Sequence, residues 1–305
     1  MRNDNLLKVA EFFSGIGAQH KALTRLGLPF EIVATSDIDK DAIVSYAAIH
    51  CGLTLEMVDK YDKYPSRSKM ADYLLKLNIG YDFKAGKPYD WHKLARRTAK
   101  EIEKYYLATI ISKQVGDVSL ATDIPQADLW TYSYPCTDIS VAGLQKGLSE
   151  DSGTRSSLVW QVKRLLLIAQ EQDKLPNALL MENVKALVSN KFMHDFCLWL
   201  NFLESLGYKT FYEVINGKDC GIPQNRERVF AVSFLDRKSF EFPDKIPLLI
   251  RLKDVLEHNV DEKYYLSDEV TAKLLEQIEN KEISNTIRGG GRGSTDRHSW
   301  DLVKG

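Results

Sequence analysis

The sequence predicts a doubly wound α/β fold, in which helices cover both faces of a parallel sheet. Short apolar runs rich in β-branched and aromatic residues alternate with longer amphipathic stretches, which is the pattern of such folds. Gly27 and Gly207 follow two of the amphipathic stretches, where a helix commonly ends in a left-handed residue. The predicted strands are Leu7–Phe13, Phe30–Ser36, Asp128–Ser133, Ala178–Met181, Lys209–Ile215 and Arg228–Phe234, and the predicted helices are Ala18–Leu26, Ser156–Gln170 and Lys191–Leu206.

Composition narrows the class of protein. With 305 residues and 44% hydrophobic residues, the chain is long enough to bury one large core with an appendage. The net charge of -1 excludes a generally basic protein, so any nucleic-acid contact must come from local clusters of Lys and Arg. The four cysteines are scattered without metal-type spacing, and no run resembles a signal peptide or a membrane span. We therefore expect a cytosolic protein without a metal site.

Changes in composition suggest the domain boundaries. We expect a main catalytic domain over residues 1–235, interrupted at about 56–113 by a helical insertion rich in Lys and Tyr. That charged segment is more often a solvated helical face than a phosphate-binding surface. Residues 236–305 are first irregular and proline-marked, then rich in Gly, Ser and Arg, which predicts a second region that is incomplete.

A glycine turn suggests a nucleoside-containing cofactor. Gly15 and Gly17 stand between the first strand and the first helix, where a backbone approaches a ligand closely. Asp37 ends the second strand, where a carboxylate accepts hydrogen bonds from a ribose diol. This pair does not distinguish a nicotinamide dinucleotide from S-adenosylmethionine. His20 replaces the third glycine of the dinucleotide pattern, and Asp117 in "VGDVS" is placed to accept an adenine amino group, although a turn aspartate is an equal alternative.

Cys136 is the candidate nucleophile. It follows Pro135 at the carboxyl end of a predicted strand, which is the edge where open α/β sheets bind ligands. Cys197 lies within an apolar run and is predicted to be a packing residue, and Cys51 and Cys220 belong to no recognisable pattern.

Two further clusters of polar residues are predicted near the same edge. Glu182 and Asn183 follow four apolar residues, and a glutamate beside a thiol suggests an acid that hydrogen-bonds the group under attack. Gln224, Arg226 and Arg228 alternate as the chain enters a strand, which predicts that all three face one side of the pleat. Such arginines suit a phosphate or a polar carbonyl, and an ion pair with a carboxylate is the structural alternative.

In this order the motifs resemble those of the DNA cytosine-5 methyltransferases. "FFSGIGA", "SDIDKDA" and "GDVS" are similar to the family's cofactor segments, and "SYPCTDIS", "ENV" and "QNRER" to its catalytic segments. The resemblance runs from Phe12 to about Phe234 and implies the Rossmann-like fold of S-adenosylmethionine-dependent methyltransferases, with residues 236–305 as a truncated target-recognition region. The cofactor-binding residues it implies are Phe13, Ser14, Gly15, Ile16, Gly17, Asp37, Ile38, Asp117, Val118 and Pro135.

The resemblance also implies a mechanism on duplex DNA. Cys136 would add to carbon 6 of a flipped cytosine while Glu182 engages ring nitrogen 3, which activates carbon 5 for methylation. Residues 137–153 would form a mobile loop over the base, with Ser140 near a phosphate. Arg226 and Arg228 would contact the target nucleotide, and Asn183 would hold the Pro-Cys turn.

The residues leave several alternatives open. Thr137 stands where the family usually has Gln, and we expect the family's late helix and the segment after its recognition region to be missing from this chain, either by truncation or because the enzyme is split. A second subunit could supply that part. We expect a bacterial or phage enzyme of a restriction system, with a transfer-RNA cytosine methyltransferase and a non-catalytic cofactor-binding subunit as the alternatives.

Overall fold

A six-stranded sheet with the order β2-β1-β3-β4-β6-β5 organises the protein. The computed structural model describes residues 6–82, 85–135, 158–237, 239–251, 254, 256–257 and 259–272. The strands are β1 (Leu7–Phe12), β2 (Phe30–Ser36), β3 (Leu129–Tyr132), β4 (Ala178–Val184), β5 (Lys209–Asn216) and β6 (Glu227–Phe234). The helices are α1 (Ala18–Leu26), α2 (Lys40–His50), α3 (Leu55–Lys60), α4 (Arg67–Lys76), α5 (Trp91–Arg97), α6 (Ala99–Ile111), α7 (Val159–Glu171) and α8 (Met193–Ser205).

The central strands are parallel and end at the same level. β1 pairs in parallel with β2 and with β3, and β3 pairs in parallel with β4. Phe12 pairs with both Ser36 and Tyr132, and Tyr132 pairs with Met181. The residues that follow these four positions therefore meet at one edge of the sheet. Strand order reverses between β1 and β3, which makes their carboxyl ends the switch point where such sheets bind ligands.

β6 runs antiparallel to the strands on both sides of it, since the Leu235 N–H just after β6 donates to the Asn177 carbonyl just before β4 at 3.2 Å. Thr210 near the start of β5 shares a hydrogen bond with Ser233 near the end of β6, at 2.8 Å, which is the pairing of antiparallel strands. The sheet is therefore mixed, with a parallel part that carries the switch point and the antiparallel strand β6 at one side.

The segment after α6 extends the sheet by a short stretch beside β2. The Thr35 N–H donates to the Lys113 carbonyl at 3.0 Å, and the Val115 N–H donates to the Thr35 carbonyl at 2.8 Å. The Ser36 hydroxyl donates to the Gly116 carbonyl at 2.6 Å. This pairing is an isolated bridge rather than a strand, yet it delivers Asp117 to the same edge as the strand ends.

Helices α3 to α6 fall within residues 56–113 apart from the first residue of α3, and they share a core with α2. Trp91 is fully buried there, and its indole N–H donates to the Ile79 carbonyl at 2.8 Å. Several buried residues of α2, α4 and α6 complete this core: Ile43, Ala47, Met70, Leu74, Ile102 and Leu107. This region is thus a packed helical layer whose apolar residues face inward and leave its charges outside.

The chain divides into two compact units. The first consists of Met1–Tyr212 and Val229–Phe240, and the second of Glu213–Arg228 and Glu241–Gly305. The boundary predicted at residue 235 between a catalytic and a recognition region stays a prediction.

Three sequence predictions about local structure were wrong. β4 continues past Met181 to Val184, so Glu182 and Asn183 belong to the strand instead of following it. β6 begins at Glu227, so Gln224 and Arg226 precede the strand and the shared pleat face does not exist. Cys197 is exposed because α8 buries Phe196, Trp199 and Leu203 on its other face.

We predict that Gly116→Ala destabilises the protein more than Gly52→Ala. Both glycines have positive φ, +74° and +71°. A Cβ at Gly116 would lie 2.2 Å from the Leu77 carbonyl oxygen, whereas a Cβ at Gly52 would meet nothing within 4 Å. The two variants share a backbone penalty, so the extra loss of about 1–3 kcal/mol expected for Gly116→Ala reports the overpacking alone. Urea unfolding of both variants measures it, and equal losses would contradict the prediction.

Candidate cofactor and catalytic site

The glycine turn after β1 is held by its own backbone and by β2. The backbone is left-handed at three positions of this turn, with φ values of +56° at Phe13, +52° at Gly15 and +83° at Gly17. Such values are typical of a tight turn. The Ser14 N–H donates to the Ser36 carbonyl at 3.0 Å, and the Gly17 N–H donates to the Ser14 carbonyl at 2.8 Å. Ile16 at the tip of the turn is 57% exposed. The turn therefore presents its backbone and one apolar side chain beyond the end of β1.

Ser14 carries an unsatisfied polar atom in this turn. The residue is only 4% exposed, and its hydroxyl has no hydrogen-bond partner among the described residues. Buried hydroxyls are normally paired, so an orphan at a ligand-binding edge indicates a place for a polar group of a ligand.

Asp37 binds the glycine turn directly. Its Oδ2 accepts the Gly15 N–H at 2.7 Å, its Oδ1 accepts the Asp39 N–H at 2.8 Å, and its own N–H donates to Gln114 Oε1 at 2.9 Å. Burial raises the pKa of the Asp37 carboxyl, and the N–H groups of Asp39, Gly15 and Ile38 oppose that rise. Of the roughly four lone-pair sites of a carboxylate, three N–H groups leave one that a ribose hydroxyl can use.

Asp117 and Val118 lie beside Asp37 in the fold, because residues 113–116 run along β2. The Asp117 carboxylate accepts hydrogen bonds from Asn78 and from Ser119. Val118 is buried, and its carbonyl accepts the Arg164 Nη2–H at 2.8 Å. The four predicted cofactor segments thus converge: the turn after β1, Asp37 with Ile38, Asp117 with Val118, and Pro135 after β3.

A buried polar cluster that the sequence did not predict supports the glycine turn from behind. Glu11 in β1 is 1% exposed and accepts the Tyr46 hydroxyl proton at 2.5 Å. The Tyr46 hydroxyl also forms a 2.8 Å hydrogen bond with His20 Nδ1. His50 stacks on His20 with ring centroids 4.1 Å apart, and His50 Nε2 donates to the Ile16 carbonyl at 3.0 Å.

Two groups of this cluster, Glu11 and His20, have pKa values that differ from their ordinary ones. Burial raises the pKa of Glu11 from 4.5 to about 7, against the lowering effects of Tyr46 and of the His20 N–H. Burial, with the nearby His50, lowers the pKa of His20 from 6.5 to about 4. The signal for the cluster was present in "VAEFF", where an acidic residue interrupts a buried strand.

The catalytic side of the edge is described up to Pro135. Cys136 and Ser140 lie outside the described residues. Asn183 is buried, and its Nδ2 donates to the Tyr134 carbonyl at 3.2 Å, two residues before Cys136. Gln19 Nε2 donates to Ser133 Oγ at 2.8 Å, which joins the start of α1 to the end of β3. Glu182 is half-buried near the end of β4, in register with the strand that leads to Cys136.

Arg226 and Arg228 belong to the second unit. The Arg226 N–H donates to Asn216 Oδ1 at 3.0 Å, and its carbonyl accepts the Gly217 N–H at 3.0 Å. The Arg226 side chain is exposed, and Arg228 Nη1 donates to the Glu227 carbonyl at 2.7 Å. The backbone of this turn is therefore fixed by Asn216, which also binds Asn225 through its amide at 2.7 Å.

Within the described residues, no group of three or more His, Cys, Asp and Glu side chains is arranged to hold a metal ion. None of the helices in the described ranges has the length and apolar character needed to cross a membrane.

The family comparison matches nearly the whole chain. The model of the C-5 cytosine-specific DNA methylase family matches residues 7–75 and 92–301. Residues 76–91 lie between the two matched stretches.

Among curated proteins, the type II methyltransferase M2.ScrFI of Lactococcus lactis subsp. cremoris is 41% identical over 266 residues, which is 86% of this chain and 71% of that protein. The orphan methyltransferase M.SssI of Spiroplasma monobiae is 38% identical over 287 residues, which is 92% of this chain and 72% of that protein.

Solved structures of two methyltransferases have the same α/β fold as this chain. The Dnmt2 methyltransferase of S. pombe aligns with a TM-score of 0.55 at 20% identity, over 89% of this chain and 67% of that one. The methyltransferase EhMeth of Entamoeba histolytica aligns with a TM-score of 0.53 at 17% identity, over 90% of this chain and 66% of that one.

We predict that Glu11→Gln changes the pH dependence of stability. Because the folded-state pKa of Glu11 lies at about 7, the folded wild type holds a proton that the unfolded chain releases above its ordinary value of 4.5. Wild-type stability therefore falls as pH rises between these values, and Gln removes that fall. Relative to wild type, the variant should gain up to about 3 kcal/mol between pH 5 and 8.

Urea unfolding at several pH values tests this prediction, with Glu31→Gln as the control. The pKa of Glu31 is lowered by Lys113, so its contribution is lost only as pH falls below 4.5 and should be constant from pH 5 to 8. A pH-independent difference between Glu11→Gln and wild type would refute the assignment.

We predict that Gly17→Ala destabilises the protein more than Gly15→Ala. A Cβ at Gly17 would lie 2.4 Å from His50 Nε2 and 2.8 Å from Tyr46 Cε2, while a Cβ at Gly15 would meet nothing within 4 Å. Gly17→Ala should therefore lose about 1–3 kcal/mol more stability than Gly15→Ala. Gly15→Ala should show only the backbone penalty of its positive φ, because its new methyl group meets no atom of the protein within 4 Å. Thermal unfolding of both variants measures this difference, and equal stability losses would exclude the steric explanation.

Proposed function

The chain belongs to the C-5 cytosine-specific DNA methylase family and is a DNA cytosine-5 methyltransferase, and we propose that it uses S-adenosylmethionine to methylate a flipped cytosine in duplex DNA. The observation that carries the cofactor assignment is the convergence of the glycine turn, Asp37 and Asp117 at the switch point. S-adenosylmethionine supplies an electrophilic methyl group on a sulfonium when it is bound.

The described residues suit the adenosyl group. Asp37 has an acceptor site for a ribose hydroxyl, and Asp117 has an acceptor site for an adenine amino group. The unpaired Ser14 hydroxyl and the open space beside Gly15 leave room for the polar amino-acid part. A dinucleotide would need a pyrophosphate cradle, which the third glycine of the dinucleotide pattern usually completes, and that position holds His20.

The chemistry follows from the weak nucleophilicity of cytosine carbon 5. In the proposed reaction, the Cys136 thiolate forms a bond to carbon 6 while Glu182 hydrogen-bonds ring nitrogen 3, so the electron pair of the broken double bond is placed on carbon 5. Carbon 5 then takes the methyl group. Loss of the proton from carbon 5 and departure of the Cys136 thiolate restore the double bond.

The other proposed residues position the base and the nucleophile. Asn183 fixes the Tyr134 carbonyl and with it the approach of the chain to Cys136. Ser140 would contact a phosphate, and Arg226 and Arg228 would contact the target nucleotide. The base must leave the stack because carbon 6 is covered by neighbouring base pairs in duplex DNA.

The relatives suggest a setting for this activity. One is named a type II methyltransferase and another an orphan methyltransferase, and a third relative belongs to the Bacillus phage rho11s. We propose a bacterial or phage modification enzyme that acts in the cytoplasm, where its DNA substrate lies. The comparisons give no support to a separate subunit, and the proposal does not include one.

We predict that Cys136→Ser abolishes methyl transfer and covalent trapping. Bisulfite sequencing of DNA from cells that express the chain first identifies the methylated site. A duplex with 5-fluorocytosine at that site should then form an adduct with the wild type, because fluorine cannot leave as the proton does. Cys136→Ser should form none and should lose at least about 10³-fold in rate.

The matched control is Cys197→Ser, since Cys197 is exposed on α8 and outside the proposed chemistry. It should keep both the adduct and the rate. Labelled S-adenosylmethionine with duplex DNA and with transfer RNA completes the test. Label in transfer RNA alone, or an adduct that survives Cys136→Ser, would overturn the proposal.

A further inference from the structure

A short segment that the family model leaves unmatched borders the predicted adenosine site. Residues 77–80 follow α4 and lie in the unmatched stretch 76–91. The segment is firmly anchored, since Ile79 is 1% exposed and its carbonyl accepts the indole N–H of the buried Trp91. The Ile79 N–H also donates to the Leu74 carbonyl at 3.1 Å. It is therefore an ordered part of the helical layer.

This segment contacts both strand ends that are proposed to bind the nucleoside. The Gly80 N–H donates to the Ile38 carbonyl at 2.7 Å, next to Asp37. The Asp117 N–H donates to the Leu77 carbonyl at 2.9 Å. Gly116 has positive φ and no room for a Cβ, because the Leu77 backbone lies against it. Residues 77–80 thus fix the distance between Asp37, which is proposed to bind the ribose, and Asp117, which is proposed to bind the adenine.

Asn78 within the segment controls the Asp117 carboxylate. Its Nδ2 donates to Asp117 Oδ2 at 2.7 Å, while Asp117 Oδ1 accepts the Ser119 N–H at 2.9 Å and the Ser119 hydroxyl at 2.7 Å. A carboxylate has about four lone-pair sites. From the described residues Oδ1 therefore accepts two bonds and Oδ2 accepts one, which leaves one acceptor site whose direction Asn78 sets.

We propose that Asn78 is a positioning residue that orients Asp117 to select the 6-amino group of the cofactor's adenine. The inference rests on the proposed use of an adenosyl cofactor. One remaining acceptor site matches one N–H of an exocyclic amino group. A purine with a carbonyl at that position would instead place oxygen against oxygen.

The backbone at Asn78 supports a dedicated role. Its φ is +55°, a left-handed conformation that asparagine tolerates better than most side chains other than glycine. Asn78→Gly therefore keeps the backbone accessible and removes only the amide. Asn78→Asp keeps the size but places a second carboxylate against Asp117, so it should reduce selection at least as strongly.

The test compares two ligands on the full chain by calorimetric titration: S-adenosylhomocysteine, with the 6-amino group, and S-inosylhomocysteine, with a 6-carbonyl. The measured quantity is the ratio of the two dissociation constants, which a loss of folded protein would not change. The wild type should prefer the amino form, and Asn78→Gly and Asn78→Asp should each reduce that preference by about tenfold, the value of one charge-assisted hydrogen bond.

Two controls isolate the effect. Asp173→Gly removes another left-handed side chain, with φ +54° at the end of α7, and should keep the wild-type preference. Asp117→Ala should abolish the preference, and Asn78→Gly should have no further effect in that background, since the two residues act as one unit.

The outcomes separate this inference from the proposed function. An unchanged ratio in Asn78→Gly and Asn78→Asp, or an equal loss in the Asp117→Ala background, would overturn the role of Asn78 while leaving the cofactor assignment standing. A folded wild type that binds neither ligand would overturn both.

Discussion

The in-register parallel pairing of β1 with β2 and β3 is the constraint on which the site depends. Phe12 is paired on both sides, so the turn after β1, Asp37 after β2 and Pro135 after β3 start from one level. A slip of one residue would turn every side chain of a strand to the opposite face and would separate these groups. The hydrogen bond from the Gly15 N–H to Asp37 exists only because this register holds.

The strands that carry the site also contain polar groups that an ordinary core would lack. Glu11 is buried in β1, where its Oε2 accepts the Tyr46 hydroxyl proton and its Oε1 has no hydrogen-bond partner among the described residues. His50, from the same helix as Tyr46, donates to the Ile16 carbonyl. Burying a carboxyl is costly, which its raised pKa expresses. In exchange, the hydrogen bonds of this cluster fix the direction of the glycine turn, which apolar contacts alone would not do.

The helical layer has a second role beyond covering the sheet. Its core of apolar side chains anchors Trp91, and Trp91 in turn holds the segment that contacts Ile38 and Asp117. The adenosine side of the proposed site is therefore built by two structures, the sheet edge in front and the helical layer behind. The catalytic side depends on the sheet in a similar way, through the contact between Asn183 and the Tyr134 carbonyl.

Much of the fold could be predicted because it follows from patterns among residues that are close together in the sequence. Alternating apolar runs and closing glycines identified β1, β2, α1 and the parallel sheet, and the ordered motifs identified the family. Strand ends were harder to place. β4 carries Glu182 and Asn183 within its last residues because Asn183 finds a buried partner in Tyr134, and that partner is 49 residues away along the chain. Cys197 was assigned to the core because its neighbours are apolar, but only one face of α8 is buried.

By itself the sequence determined the family and the residues proposed to carry the chemistry, since Cys136, Glu182 and the glycine turn stand in motifs that are local along the chain. Only the tertiary structure decided how the supporting groups meet. Glu11 and Tyr46 are 35 residues apart, Asn78 and Asp117 are 39 residues apart, and neither pair has a joint pattern in the sequence. The physical reason is that a hydrogen bond depends on the distance and direction between two atoms, and these are set by the packing of the sheet and the helical layer and not by residue order.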